Sequence, residues 1–200
     1  MIVGALVVMP FGKSPWVLLS AFSVAAPWIQ SFGRLRCLVQ GCCHGGAALP
    51  AIGIRYTHPR SRVSRLTSLA GVPVHPTPLY SILSNLVIAI VMTRLWLVYA
   101  DFSLIVGVFL ILNGLARFVE ESYRGEPQTP IKAGLRSYQW LAIGSVIAGV
   151  FATMVSNTGH PSALSLNWQS LIAATGFSML TCLALGVDFP NSNKRFARLV

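Results

Sequence analysis

Five apolar runs, each long enough or nearly long enough to cross a bilayer, limit this chain more than any other feature of its sequence. They are Trp16–Phe32, Pro78–Ala100, Ser103–Val119, Tyr138–Ser156 and Trp168–Val187. A hydrocarbon core of about 30 Å takes roughly 20 helical residues. Inside it only helices and closed barrels satisfy their own backbone groups. Charged residues make up 10% of the chain, against about 25% in an average soluble domain, too few to cover a surface facing water. The sequence therefore predicts an all-α, polytopic membrane helix bundle of five to six spans, forming a single integral membrane domain over residues 1–200. Its partner on all sides is the lipid bilayer. The sixth candidate, Ile2–Phe11, is too short to span and reads as a re-entrant piece or the tail of a helix. Met1–Pro10 lacks a basic leading region, so no cleavable signal peptide is expected.

The segments between the runs carry most of the net charge of +10. Gly33–Pro76 is the longest of them and contains Arg55, Arg60, Arg62 and Arg65 with no acid; Ala51–Thr57 within it fits a short strand. Thr77 suits an N-cap with Pro78 at the first helical position. Asp101 and Phe102 fit a tight turn, and Gly125–Ser137 a loop. Alternating the five spans puts Gly33–Pro76, the second loop and the tail with Lys194, Arg195 and Arg198 on one face. Positive-inside counting makes that face cytoplasmic. No arginine-rich helix with interleaved aromatics is present, so nucleic acid is not an expected partner.

Three stretches carry chemistry. Phe32–Gly46 holds two arginines, three of the four cysteines, a histidine and four glycines. Arg34 and Arg36 suit a phosphate, because a guanidinium offers two parallel charge-assisted hydrogen bonds. Gly41 and Gly45 would let backbone approach a ligand closely. The same residues also fit an ordinary basic flank with a flexible turn. Cys37, Cys42, Cys43 and His44 invite metal or thiol-redox readings. Adjacent cysteines suit one tetrahedral site poorly, however, and no second Cys/His cluster completes it, so no metal or other cofactor is expected. Small residues in a tight turn are the plainer account, and Cys182 reads as a small core residue. In the second stretch, His75 stands just before a helix start, where it is able to take a proton, and Tyr80 is one turn in. In the third, Arg117, Glu121 and Arg124 share one helical stripe that reaches back to Asn113. There Glu121 is expected to hold one guanidinium and leave another for an anion. A solvated interfacial turn is the alternative.

In this order and spacing the three stretches resemble the prolipoprotein diacylglyceryl transferases. That family's G-R-x-G-N-F-x-N-G-E-x-x-G stands here as Gly33-Arg34-Leu35-Arg36-Cys37-Leu38-Val39-Gln40-Gly41-Cys42-Cys43-His44-Gly45. Its H-P-S/T-Q-L-Y-E is matched by His75-Pro76-Thr77-Pro78-Leu79-Tyr80-Ser81, and its R-x-x-x-E-x-x-R by Arg117, Glu121 and Arg124. The match covers roughly 15–155; the last span, 167–187, is additional. Cys37 and Gln40 replace both asparagines, Cys42 replaces the acid, Asn113 stands for a tyrosine, and the family's H-G-G histidine has no counterpart.

The resemblance implies an enzyme of the bacterial inner (plasma) membrane. Such an enzyme moves the diacylglyceryl group of phosphatidylglycerol onto the lipobox cysteine thiol of a lipoprotein precursor, whose signal peptide is its second partner. It implies His75, Arg117, Glu121 and Tyr80 as catalytic residues, and Arg34, Arg124, Gly41, Gly45 and His44 as substrate-binding ones. It also implies that the arginine-rich face is periplasmic, against the positive-inside reading, because arginines that bind a headgroup are not topology signals. Two other readings stand beside it: a non-catalytic phospholipid-binding paralogue, and a thiol-redox or metal-binding membrane protein.

Overall fold

The computed structural model describes residues 14–125, 130–156, 159–163 and 167–185. The run Ile2–Phe11 and the basic tail with Lys194, Arg195 and Arg198 lie outside these residues, as does the side chain of Cys182. Among the described residues the order is α1 (Pro15–Gln40), β1 (Ile54–Arg55), α2 (Arg62–Leu66), β2 (Pro73–Val74), α3 (Thr77–Leu97), α4 (Phe102–Ser122), β3 (Ile131–Lys132), β4 (Leu135–Arg136), α5 (Ser137–Met154) and α6 (Trp168–Leu185). Four helices, α1, α3, α4 and α5, are long and apolar enough to cross a membrane. A helix of 21 residues, such as α3 or α4, is about 31 Å long, the thickness of the hydrocarbon core. The chain is a multi-pass membrane protein. The fifth run forms α6, of 18 residues, whose side chains from Trp168 to Leu180 are exposed.

Small residues bring the spans together. α1 turns Ser20, Ser23, Pro27 and Ser31 inward. Its serine hydroxyls donate to carbonyls one turn back, at 2.9 Å to Val17, 2.7 Å to Leu19 and 2.9 Å to Pro27, so they add no unsatisfied group to the packing face. Against that face α3 sets Ser81, Asn85, Ile88, Ala89 and Met92. Ala26, Ile88, Met92, Ile105 and Phe109 form the core between α1, α3 and α4. The α4–α5 contact is tighter. A Cβ at Gly107 would lie 2.4 Å from the Thr153 side chain and 2.7 Å from the Gly149 carbonyl, and one at Gly149 would meet the Gly107 carbonyl at 2.7 Å. The two backbones touch there, which is how helices gain packing energy in lipid. Ser145 and Ser103 stitch the seam by donating to the carbonyls of Leu110 at 3.0 Å and Val155 at 2.8 Å.

The connections differ from expectation in four places. Gly33–Gln40 is not loop: α1 runs on past Phe32 and ends at Gly41, whose φ of 65° reverses the chain. Charge ends the apolar run there, but arginine, leucine and cysteine all continue a helix well enough. Thr77 is the first residue of α3, not its cap, and its hydroxyl donates to the Cys43 carbonyl instead. Phe102 begins α4, and the preceding turn bends at Tyr99, with φ 55°. Within the second loop, β3 and β4 form a hairpin turned by Ala133 and Gly134, both at positive φ, the geometry a two-residue hairpin loop requires. In the first loop Ile54 pairs with Val74. Tyr56, Val63 and Val74 make a small second core over the end of the bundle, and Tyr56 donates to the Leu38 carbonyl at 2.7 Å.

Candidate functional site

α1 and α4 end, and α3 and α5 begin, on the same side of the bundle. There the turn after α1 is threaded between the start of α3 and the end of α4. The Gly45 amide donates to the His75 carbonyl at 2.8 Å, the Gly46 amide to Tyr123 at 3.1 Å, and the His75 amide to Gly46 at 2.9 Å. A Cβ at Gly45 would stand 2.5 Å from the His75 Cβ and 2.7 Å from the Tyr123 carbonyl. Gly45 therefore permits a close approach of the chain to itself at this point. Gly41 likewise serves the helix stop, with the Tyr56 ring against it. His44 is 3% exposed. Its Nδ1 lies 2.8 Å from the Gly45 carbonyl, which only accepts, so Nδ1 carries the proton. The ring is thus buried and held by backbone at the turn.

His75 and Tyr80 are brought together: Nδ1 lies 3.1 Å from the Tyr80 hydroxyl. Tyr123, which the sequence reading missed, completes an aromatic trio. Its ring centroid is 5.1 Å from that of His75 and 5.8 Å from that of Tyr80. The three rings line a cavity of about 540 Å³ together with Ile52, Ser84, Leu115, Ala116, Val119 and Glu120. Apolar walls with one imidazole, three hydroxyls and one carboxylate suit an amphiphile better than a sugar or a nucleotide.

The arginines gather around two adjacent carboxylates. Arg117 donates to Glu120 Oε2 at 2.9 Å, and Arg34 reaches Oε1 of the same carboxylate at 3.6 Å. Glu121 holds Arg124 at 3.3 Å and Arg136 at 4.0 Å. Both carboxylates are buried, where a charge is retained only with partners. Glu120 and Arg136 are thus two residues the sequence reading missed. Glu120 is three residues from Arg117, as visible on a helix as Glu121 at four. Arg136 comes from the hairpin, with no spacing to mark it, and donates to the Arg124 carbonyl at 2.9 Å. Arg117 also lines a smaller cavity of about 210 Å³ with Asn113, Gly114, Tyr138 and Ser145. Arg34 and Arg117, from opposite ends of the motif set, therefore converge on one anionic group.

The three thiols of Cys37, Cys42 and Cys43 also converge, with all Sγ atoms within 4.8 Å of one another. Hydrogen bonds from Cys37 and Cys42, and then the charges of Arg124 and Arg34, hold the Cys43 thiol well below its ordinary range. Cys42 is pushed up by its contacts with Cys37 and Cys43.

The prolipoprotein diacylglyceryl transferase family model matches residues 1–155. Among similar proteins are a phosphatidylglycerol–prolipoprotein diacylglyceryl transferase of Clostridium tetani, 25% identical over 70% of this chain and 54% of its own length, and a second transferase of that name from Clostridium perfringens, 26% identical over 69% of this chain and 52% of its own. The chain spans about half the length of these curated relatives. With well over half of its residues matched by the family model, from before α1 to the end of α5, the chain belongs to the prolipoprotein diacylglyceryl transferase family.

Proposed function

We propose that this chain carries the phospholipid end of a diacylglyceryl transfer site in the bacterial inner membrane. The reaction is transfer of the diacylglyceryl group of phosphatidylglycerol to the lipobox cysteine thiol of a lipoprotein precursor. The arginine-rich face is the periplasmic one. The observation that carries the reading is the meeting of Arg34 and Arg117 on the two oxygens of Glu120, beside a cavity that also contains His75.

The chemistry follows from charge. The incoming sulfur forms a C–S bond to the diacylglyceryl carbon while the C–O bond to phosphate breaks, and the electron pair leaves on glycerol phosphate. Negative charge grows on the phosphate oxygens, so fixed guanidinium groups beside them lower the barrier. Arg34 and Arg117 supply these groups, and Glu120 is the positioning residue that holds both. Arg124, held by Glu121, completes the anionic end. The thiol proton goes to His75. With Nδ1 donating to the Tyr80 hydroxyl, Nε2 keeps its lone pair for that proton. The apolar wall of Leu115, Ala116 and Val119 receives the acyl chains.

The test is transfer from phosphatidylglycerol to a lipobox peptide in proteoliposomes, read by the mass of the lipidated peptide. Arg34→Ala and Arg117→Ala are each expected to lower the rate by about 100-fold or more, the loss typical of one transition-state donor. Unchanged transfer in both variants refutes these roles. Phospholipid retained by the wild-type chain without any transfer favours the binding paralogue instead.

A further inference from the structure

The turn that carries Gly45 to His75 also gathers three sulfur atoms, and nothing in the transfer chemistry uses them. Cys37 lies in the last turn of α1. Gly41, at φ 65°, stops the helix, and the amides of Gly41 and Cys42 both return to the Cys37 carbonyl, the latter at 3.2 Å. Cys42 is thereby laid beside Cys37. Two neighbours in a chain normally direct their side chains apart. Here Cys43 takes φ 57°, a left-handed conformation uncommon in a residue with a side chain. Its carbonyl is fixed by the Thr77 hydroxyl. The result is three Sγ atoms within 4.8 Å of one another on residues that are all half-buried, and so within reach of a small ion.

We infer that Cys37, Cys42 and Cys43 form a three-thiolate site for a thiophilic d10 cation, zinc(II) or copper(I). A tetrahedral ion with metal–sulfur bonds of about 2.3 Å needs sulfurs about 3.8 Å apart, so binding draws the cluster in by an ångström or less. Soft thiolate ligands select such ions over magnesium or calcium. Three protein ligands suffice for copper(I), and with zinc they leave a fourth position for water or an incoming ligand. An ion there ties the end of α1 to the turn that seats Gly45 against His75. The site stands or falls on metal content, whether or not the chain transfers a lipid.

The full chain, purified in detergent under reducing and anaerobic conditions, is loaded separately with zinc(II) and with copper(I). It is then passed over a chelating resin and its metal measured by mass spectrometry. The expected result is about one ion per chain in at least one arm, and the two arms tell which ion is preferred. Cys37→Ser, Cys42→Ser and Cys43→Ser should each weaken retention at least about tenfold, while Cys182→Ser retains the ion. Helical circular dichroism and monodisperse elution check that each variant folds. Because a variant could fail that check, cobalt(II) is also added to the wild-type chain, where a thiolate-to-cobalt charge-transfer band is expected. No ion retained in either arm, no such band, or an intact mass lower by two hydrogens, marking a disulfide in the reduced preparation, each overturns the site.

Discussion

The carboxylate of Glu120 holds two guanidinium groups at once, so neutralising it without changing its shape is a sharp perturbation. Glu120→Gln keeps the volume and one acceptor oxygen but removes the charge. Arg117 loses a charge-assisted hydrogen bond of 2.9 Å and Arg34 an ion pair of 3.6 Å. Glu120 is 6% exposed, while Arg34 and Arg117 are 18% and 31% exposed. Breaking a fully buried pair costs about 3–5 kcal/mol. Water reaching the two arginines screens part of that, which leaves about 2–3 kcal/mol. For a chain of this size each kcal/mol lowers Tm by about 2–4 °C, so the melting temperature in detergent should fall by roughly 4–12 °C. The decisive measurement is a double-mutant cycle with Arg117→Gln, followed by tryptophan fluorescence on heating. If the two groups interact as their geometry implies, the double variant is more stable than the sum of the single losses by about 1 kcal/mol or more. Losses that add to within about 0.5 kcal/mol would show that Glu120 does not hold Arg117, and its positioning role would go with that result.

Other perturbations test neighbouring parts. Tyr80→Phe removes the partner of His75 Nδ1 at 3.1 Å; the loss of one such bond, about 1 kcal/mol, should lower kcat of transfer about five- to tenfold with KM little changed. Gly45→Ala forces a methyl group to within 2.5 Å of the His75 Cβ, and is expected to cost about 1–3 kcal/mol in thermal unfolding and to abolish transfer by shifting His75. Gly107→Val should separate α4 from α5, since the Gly149 carbonyl lies 2.7 Å from the position of the new Cβ; a loss of at least about 2 kcal/mol or failure to accumulate in the membrane is expected. Tyr56→Phe deletes only the bond to Leu38 and should cost about 1 kcal/mol while leaving transfer intact.

The sequence made the spans visible because lipid demands long apolar runs, and α3, α4 and α5 begin and end within a few residues of those runs. It made the end of α1 invisible for the same reason. Hydropathy marks where lipid stops, at Phe32, whereas the helix stops where the backbone must reverse, at Gly41. Arg34 and Arg36 thus stand on a rigid helix, and Arg34 is aimed by the direction of α1. The choice between Glu120 and Glu121 shows a second limit. Relative to Arg117 they lie about 60° to one side of the helix and about 40° to the other, so spacing alone favours neither as its partner. What separates them is the company each face meets in three dimensions, α1 with Arg34 for Glu120 and the β3–β4 hairpin with Arg136 for Glu121. The thiol cluster depended on a torsion. Adjacent cysteines suit one ion poorly in ordinary extended or helical backbone, and only the left-handed turn at Cys43 brings their sulfurs together. In each case residue spacing along one element was readable, and the missing information lay in how that element meets another. In a helix bundle that is where a site is made, because the polar groups that meet at the membrane edge come from different spans.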